Sequence, residues 1–164
     1  MRWAADWPED DDAWFPGGVS VPAALAAAVA LERAVAERAS TDTRRRRLVD
    51  RIREVVAATV PDAEIVGDPA ARLPHVVTFS CLFVAGEVLA GELDRLGFAV
   101  GSGSACTSST LEPSHVLAAM GALTHGNVRL ALPADVRDDD VERFLGALPG
   151  AVRRVREVLG VSDL

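Results

Sequence analysis

The apolar positions along this chain change period several times, and each change marks an element. From residue 21 to about residue 59, alanine and leucine dominate at helical spacing, with charges gathering after Glu32. This predicts one long helix, capped by Ser20, with Pro22 in its first turn and Pro61 beyond its end. Ser40-Thr-Asp-Thr43 predicts a kink or a second start within it, since these residues favour caps. Residues 62–74 predict a loop with a short strand at Glu64-Ile-Val66. Residues 75–84, rich in β-branched and aromatic side chains, predict a strand. Helical spacing returns over 86–96, with Gly97 as its C-terminal cap. A short strand is expected at Phe98-Ala-Val100 and a short helix over 114–120, stopped by Gly121. Residues 127–132 alternate as a strand. Residues 138–159 form an amphipathic pattern with three aspartates at its start and arginines towards its end, both favoured by the helix dipole.

These elements predict an α+β fold. A small three- to four-stranded sheet packs against helices and is preceded by a long helix. Residues 1–20 read as an acidic N-terminal arm, irregular around Phe15-Pro-Gly-Gly18, and residues 21–164 as a single domain. With 49% hydrophobic and 25% charged residues, the chain is expected to be globular and not disordered. Its net charge of −7 argues against a nucleic-acid partner. The acidic N-terminus lacks the apolar run of a signal peptide. The longest uncharged apolar-rich stretch, residues 15–31, is broken by Pro16, two glycines and Ser20, which argues against a membrane span. The expectation is therefore a cytoplasmic protein. Two cysteines make no disulfide framework, and three scattered histidines make no metal-ligand spacing.

The chemistry concentrates in Gly101-Ser-Gly-Ser-Ala-Cys-Thr-Ser-Ser-Thr-Leu-Glu-Pro113. Small residues surround Cys106 and no bulky side chain shields it. Composition alone leaves it open between a reactive thiol and a free cysteine in a serine-rich loop. Cys81 follows a strand-like run and reads as core or sheet surface. Arg129 sits between Val128 and Leu130 and should face opposite to them. Its guanidinium could grip a carboxylate through two parallel bonds or serve a surface ion pair. The run Arg44 to Arg47 covers all sides of a helix and reads as a solvated, partly ion-paired segment. His75 and His125 carry no functional signal.

The words around Cys106 resemble the active-site loop of cysteine desulfurases, class V aminotransferases that use pyridoxal phosphate (PLP). Four collinear stretches carry the resemblance: the cysteine loop with Leu-Glu-Pro-Ser-His-Val-Leu117, Gly126-Asn-Val-Arg-Leu-Ala-Leu132, Pro74-His-Val-Val-Thr-Phe-Ser80 and Gly86-Glu-Val-Leu-Ala-Gly-Glu-Leu93. It spans roughly residues 17–160 and concerns the C-terminal small domain of these fold-type I enzymes. It implies that Cys106 takes up sulfur as a persulfide and that Arg129 holds the substrate α-carboxylate. From the residues themselves, Ser104 and Thr107 are candidate supports that lend the loop mobility, and His115 is either a group that depresses the Cys106 pKa or a capping or surface residue.

Two departures narrow the resemblance. Every one of the 17 lysine-plus-arginine positions is arginine, so no residue here can form a Schiff base with PLP. Phe15-Pro-Gly-Gly-Val-Ser20 stands where the family carries an Arg-Ser-Gly-Thr-Glu-Asn-like segment, leaving the Gly17 and Gly18 amides as candidates for a phosphate contact in trans. The expectation is a small-domain subunit of a split desulfurase. PLP would come only through a partner chain, the large-domain polypeptide or another sulfur donor, with a sulfur acceptor protein downstream; a homo-oligomer is left open. Two alternatives stand beside it: a persulfide carrier working without PLP, and a degenerate binding or regulatory domain.

Overall fold

A computed structural model describes residue 18, residues 20–103 and residues 114–161. The described residues fall into two compact units, one up to Ser40 and one from Thr41 on, and a single helix runs through the boundary. That helix, α1 (Val21–Thr59), is unbroken. No second helix starts at residues 40–43: the helix assignment is continuous there, and Ser40 Oγ donates to the Glu37 carbonyl at 3.0 Å within the helix. In the first unit the Val21, Leu25, Val29 and Val35 side chains are exposed, and Arg33 pairs with Glu37 one turn on.

The second unit is built on a three-stranded antiparallel sheet in the order β1 (Ala63–Val66), β2 (Val76–Cys81), β3 (Asn127–Ala131). Alternation along the strands sorts their side chains. Val77, Phe79 and Cys81 of β2 and Val128 and Leu130 of β3 face the core. Against them pack Val49, Ile52 and Val56 from α1, Leu89 and Leu93 from α2 (Gly86–Arg95), and Phe144, Leu148 and Val152 from α4 (Asp138–Val158). The opposite face carries Glu64, Thr78, Ser80, Asn127 and Arg129, and a short α3 (His115–Ala119) precedes the loop that reaches it.

The strand expected at Phe98-Ala-Val100 does not form. The Phe98 amide donates back to the Leu93 carbonyl after Gly97 turns at φ +84°, so this stretch is used up in capping α2. The Phe98 ring meets Phe144 edge-on at 5.6 Å, with the Arg143 guanidinium 5.4 Å from its centroid. Only Gly101 pairs with the sheet.

The four arginines hold neighbouring loops. Arg44 reaches the Ala134 and Val136 carbonyls and Asp138, Arg45 the Pro133 carbonyl, Arg46 the Ala70 carbonyl, and Arg47 Asp138 at 2.6 Å. Hydrogen bonds from Arg47 and Arg44 hold the Asp138 carboxyl below the usual carboxylate range. Arg156 is the buried cation of α4. It donates to the Leu82 carbonyl at 3.0 Å and the Pro61 carbonyl at 2.8 Å, tying α4 to the chain beyond α1 and beyond β2.

Candidate functional site

The site begins where the free edge of β3 meets Gly101. Gly101 N–H donates to the Arg129 carbonyl at 2.9 Å, and Arg129 N–H donates back to Gly101 at 2.8 Å. This closed pair holds the chain against β3 five residues before Cys106. The Arg129 side chain follows the alternation that the sequence predicts and points away from the core. Its guanidinium lies over Gly101, where an added Cβ would stand 3.5 Å from Nη2. Arg129 is exposed and makes no ion pair among the described residues. A guanidinium can hold a carboxylate through two parallel bonds.

Close backbone packing builds the platform beneath it. A Cβ on Gly86 would come within 2.8 Å of the Asn127 carbonyl oxygen and 3.4 Å of Ser102 Cβ. The first residue of α2, the first of β3 and the start of the cysteine-bearing segment therefore meet at one point. Gly126 is tighter still, its missing Cβ lying 2.0 Å from the Cys81 carbonyl oxygen.

On the far side of α3 the chain is tied down by side chains. Ser114 Oγ accepts the Leu117 N–H at 3.4 Å as the cap of α3. Leu123 then donates its N–H to Glu64 Oε2 at 2.7 Å and accepts at its carbonyl from Ser80 Oγ at 2.9 Å. The sequence singled out neither Glu64 nor Ser80. Strand register brings them side by side.

Of the residues expected at the site, Arg129, His115 and Gly18 are described. His115 opens α3 and is exposed. Gly18 is exposed at φ +85°. Cys106, Ser104, Thr107 and Gly17 lie outside the described residues. Cys81 is in the core, 1% exposed, and burial pushes its thiol up to about 11. A thiol held neutral in the folded state stabilises it below the unfolded value of 9.0, and that contribution is lost as pH rises towards 11. With no lysine and no tyrosine in the chain, thiols are the side chains that titrate there. Unfolding midpoints in urea are expected to fall between pH 9 and 11 for the natural chain and to fall less for Cys81→Ala; parallel profiles would contradict this.

Among the described residues no helix is long and apolar enough to cross a membrane, and no group of three His, Cys, Asp or Glu side chains is placed to hold a metal. A sequence model of the aminotransferase class-V family matches residues 10–144. The chain belongs to the class-V aminotransferase family. Within it, a cysteine desulfurase of Azotobacter chroococcum mcd 1 is 37% identical over 132 residues, covering 79% of this chain and 33% of that protein. A cysteine desulfurase of Gluconacetobacter diazotrophicus is 36% identical over 145 residues, covering 87% and 36%. The solved structure of a NifS-like protein superposes with a TM-score of 0.65 at 23% identity, over 87% of this chain and 35% of that one, and shares the fold. The chain spans about a third of the length of the curated relatives it matches. The class-V resemblance read from the four collinear motifs holds, as does the mixed fold expected from it.

Proposed function

We propose that this chain is the small-domain subunit of a split cysteine desulfurase. It gives Cys106 and Arg129 to a PLP-bearing partner chain in sulfur transfer from L-cysteine. The observation that carries this reading is the Arg129 guanidinium, which has no ion pair among the described residues and is fastened through its own backbone to Gly101 at the entry to the cysteine segment. Arg129 binds the α-carboxylate of the substrate and so orients its sulfur. Cys106 as thiolate attacks that sulfur. A sulfur–sulfur bond forms as the carbon–sulfur bond breaks, its electron pair stays on the substrate carbon, and a proton follows. The persulfide then passes to an acceptor protein.

PLP does not fit these residues as a covalent group, since 164 residues hold no lysine and therefore no ε-amine. The cofactor belongs to the partner chain. The first half of α1 supports such a partner. Val21, Leu25, Val29 and Val35 are between 56% and 72% exposed, an apolar surface that a second chain would cover.

Mixing the protein with a PLP-bearing large-domain chain and L-cysteine is expected to release sulfide only when both are present. Cys106→Ser is expected to lower that rate roughly 100-fold or more, because a hydroxyl offers no thiolate. If the mixture is silent, exposure to a persulfide donor decides what remains. A one-sulfur mass adduct on Cys106 would favour the carrier reading, and none would favour a domain without sulfur chemistry.

A further inference from the structure

We infer that the cavity between the end of α1 and the second half of α4 binds a small phosphate monoester. This site involves neither Arg129 nor the cysteine segment, so it stands whether or not the chain serves a desulfurase. The cavity holds about 240 Å³. Val60 and Pro61, just beyond α1, line it together with Val152, Arg153 and Arg156 of α4. Among the described residues that line it there is no acidic side chain. Two cations therefore share a cavity whose wall supplies no negative charge.

The three arginines of this stretch of α4 differ in how they are answered. Arg154 meets the Glu92 carboxylate at 2.6 Å. Arg156 is only 6% exposed, yet its Nε and Nη2 donate to main-chain carbonyls alone, those of Leu82 and Pro61. Its Nη1 donates to none of the described residues, and none of their carboxylates pairs with it. Carbonyls satisfy hydrogen bonds but leave the charge itself without a counter-ion, which is costly away from water. Arg153, three residues earlier, is exposed and has no hydrogen bond or ion pair among the described residues. Like charges at that helical spacing repel. An oxyanion between the two guanidiniums answers both charges at once, through the strong bonds that such groups make to phosphate oxygens. A phosphate monoester carries close to two negative charges at neutral pH, matching two arginines, whereas a carboxylate carries one. The volume is roughly that of eight water molecules in the liquid, enough for a phosphate and a short carbon chain. Val60, Pro61 and Val152 give that chain an apolar wall.

The test titrates the full chain with butyl phosphate, inorganic phosphate and butyrate by calorimetry, in about 20 mM salt so that screening is small. Butyl phosphate is expected to bind one to one with a Kd below about 1 mM, and each of the other two at least about fivefold more weakly. Arg153→Gln is expected to weaken butyl phosphate binding roughly tenfold by removing one cation. Its urea midpoint should match that of the natural chain, since the Arg153 side chain is exposed and holds nothing else among the described residues. Arg154→Gln is the control for general positive charge, because its cation already belongs to Glu92, and its Kd is expected to stay within about twofold. No binding of butyl phosphate up to about 10 mM overturns the site. So does equal weakening by Arg153→Gln and Arg154→Gln, or a Kd unmoved by Arg153→Gln. Inorganic phosphate or butyrate bound as tightly as butyl phosphate would overturn the assignment to a phosphate monoester.

Discussion

Arg129→Leu is expected to raise the KM for L-cysteine in the reconstituted reaction by about 100-fold. A charge-assisted hydrogen bond is worth roughly 1.5–3 kcal/mol, so losing a two-bond carboxylate grip removes about 3 kcal/mol, or two decades of affinity. The same variant should leave the domain as stable as before, within about 0.5 kcal/mol, since Arg129 is exposed and makes no ion pair among the described residues. Its backbone bonds with Gly101 do not depend on its side chain. Arg129→Lys separates charge from shape. It keeps a cation but not the planar fork, and a KM between those of the natural chain and Arg129→Leu is expected. Steady-state kinetics with urea unfolding of each variant check both halves. An unchanged KM in Arg129→Leu would remove the carboxylate role. A large loss of stability would make Arg129 a structural residue.

The second large effect concerns Gly126→Ala. Gly126 holds φ +67°, a region that L side chains rarely adopt. The added Cβ would also stand 2.0 Å from the Cys81 carbonyl oxygen and 3.0 Å from that of Val84. Both obstacles are backbone and cannot rotate away. The chain cannot shift locally either, because Cys81 N–H donates to the Gly126 carbonyl at 3.0 Å. Strain at a left-handed position costs about 1–3 kcal/mol and overpacking about 1–3 more, so a loss of roughly 2–6 kcal/mol is expected. That is a large share of the roughly 5–15 kcal/mol that holds a domain of this size. A urea midpoint equal to that of the natural chain would show that the turn can rearrange. Gly91→Ala is the matched control, since open space surrounds its Cβ position within α2.

The reading of elements from period and punctuation succeeded where local chemistry is strong. Pro61 and Gly97 lie just past the ends of α1 and α2, and three aspartates open α4. It failed where backbone groups had partners that no local pattern reveals. Phe98-Ala-Val100 has strand composition, but its first amide caps α2. Ser40-Thr-Asp-Thr43 has cap composition, but Ser40 bonds back into its own helix. Arg44 to Arg47 could be placed around a helix, while their carbonyl partners at residues 70 and 133–136 are set by how loops return to it.

The sequence alone was enough to place the chain in its family, through four collinear motifs. An unshielded cysteine in a glycine-serine segment, an arginine in an alternating strand and a complete lack of lysine are facts of composition and order. Composition leaves the cysteine and the arginine open between reactive and inert roles; sulfur acceptance and carboxylate binding are what the family resemblance implies, while the lack of lysine excludes a Schiff base on a side chain of these residues. Tertiary structure decided how those groups relate in space. Strand register placed Glu64 and Ser80 in one row and Arg129 in the next, and it set Gly101 against Arg129. Register is settled by which apolar faces bury together, a non-local choice. For that reason the arginine was legible in one dimension, and the side chains that hold Leu123 a row away from it were not.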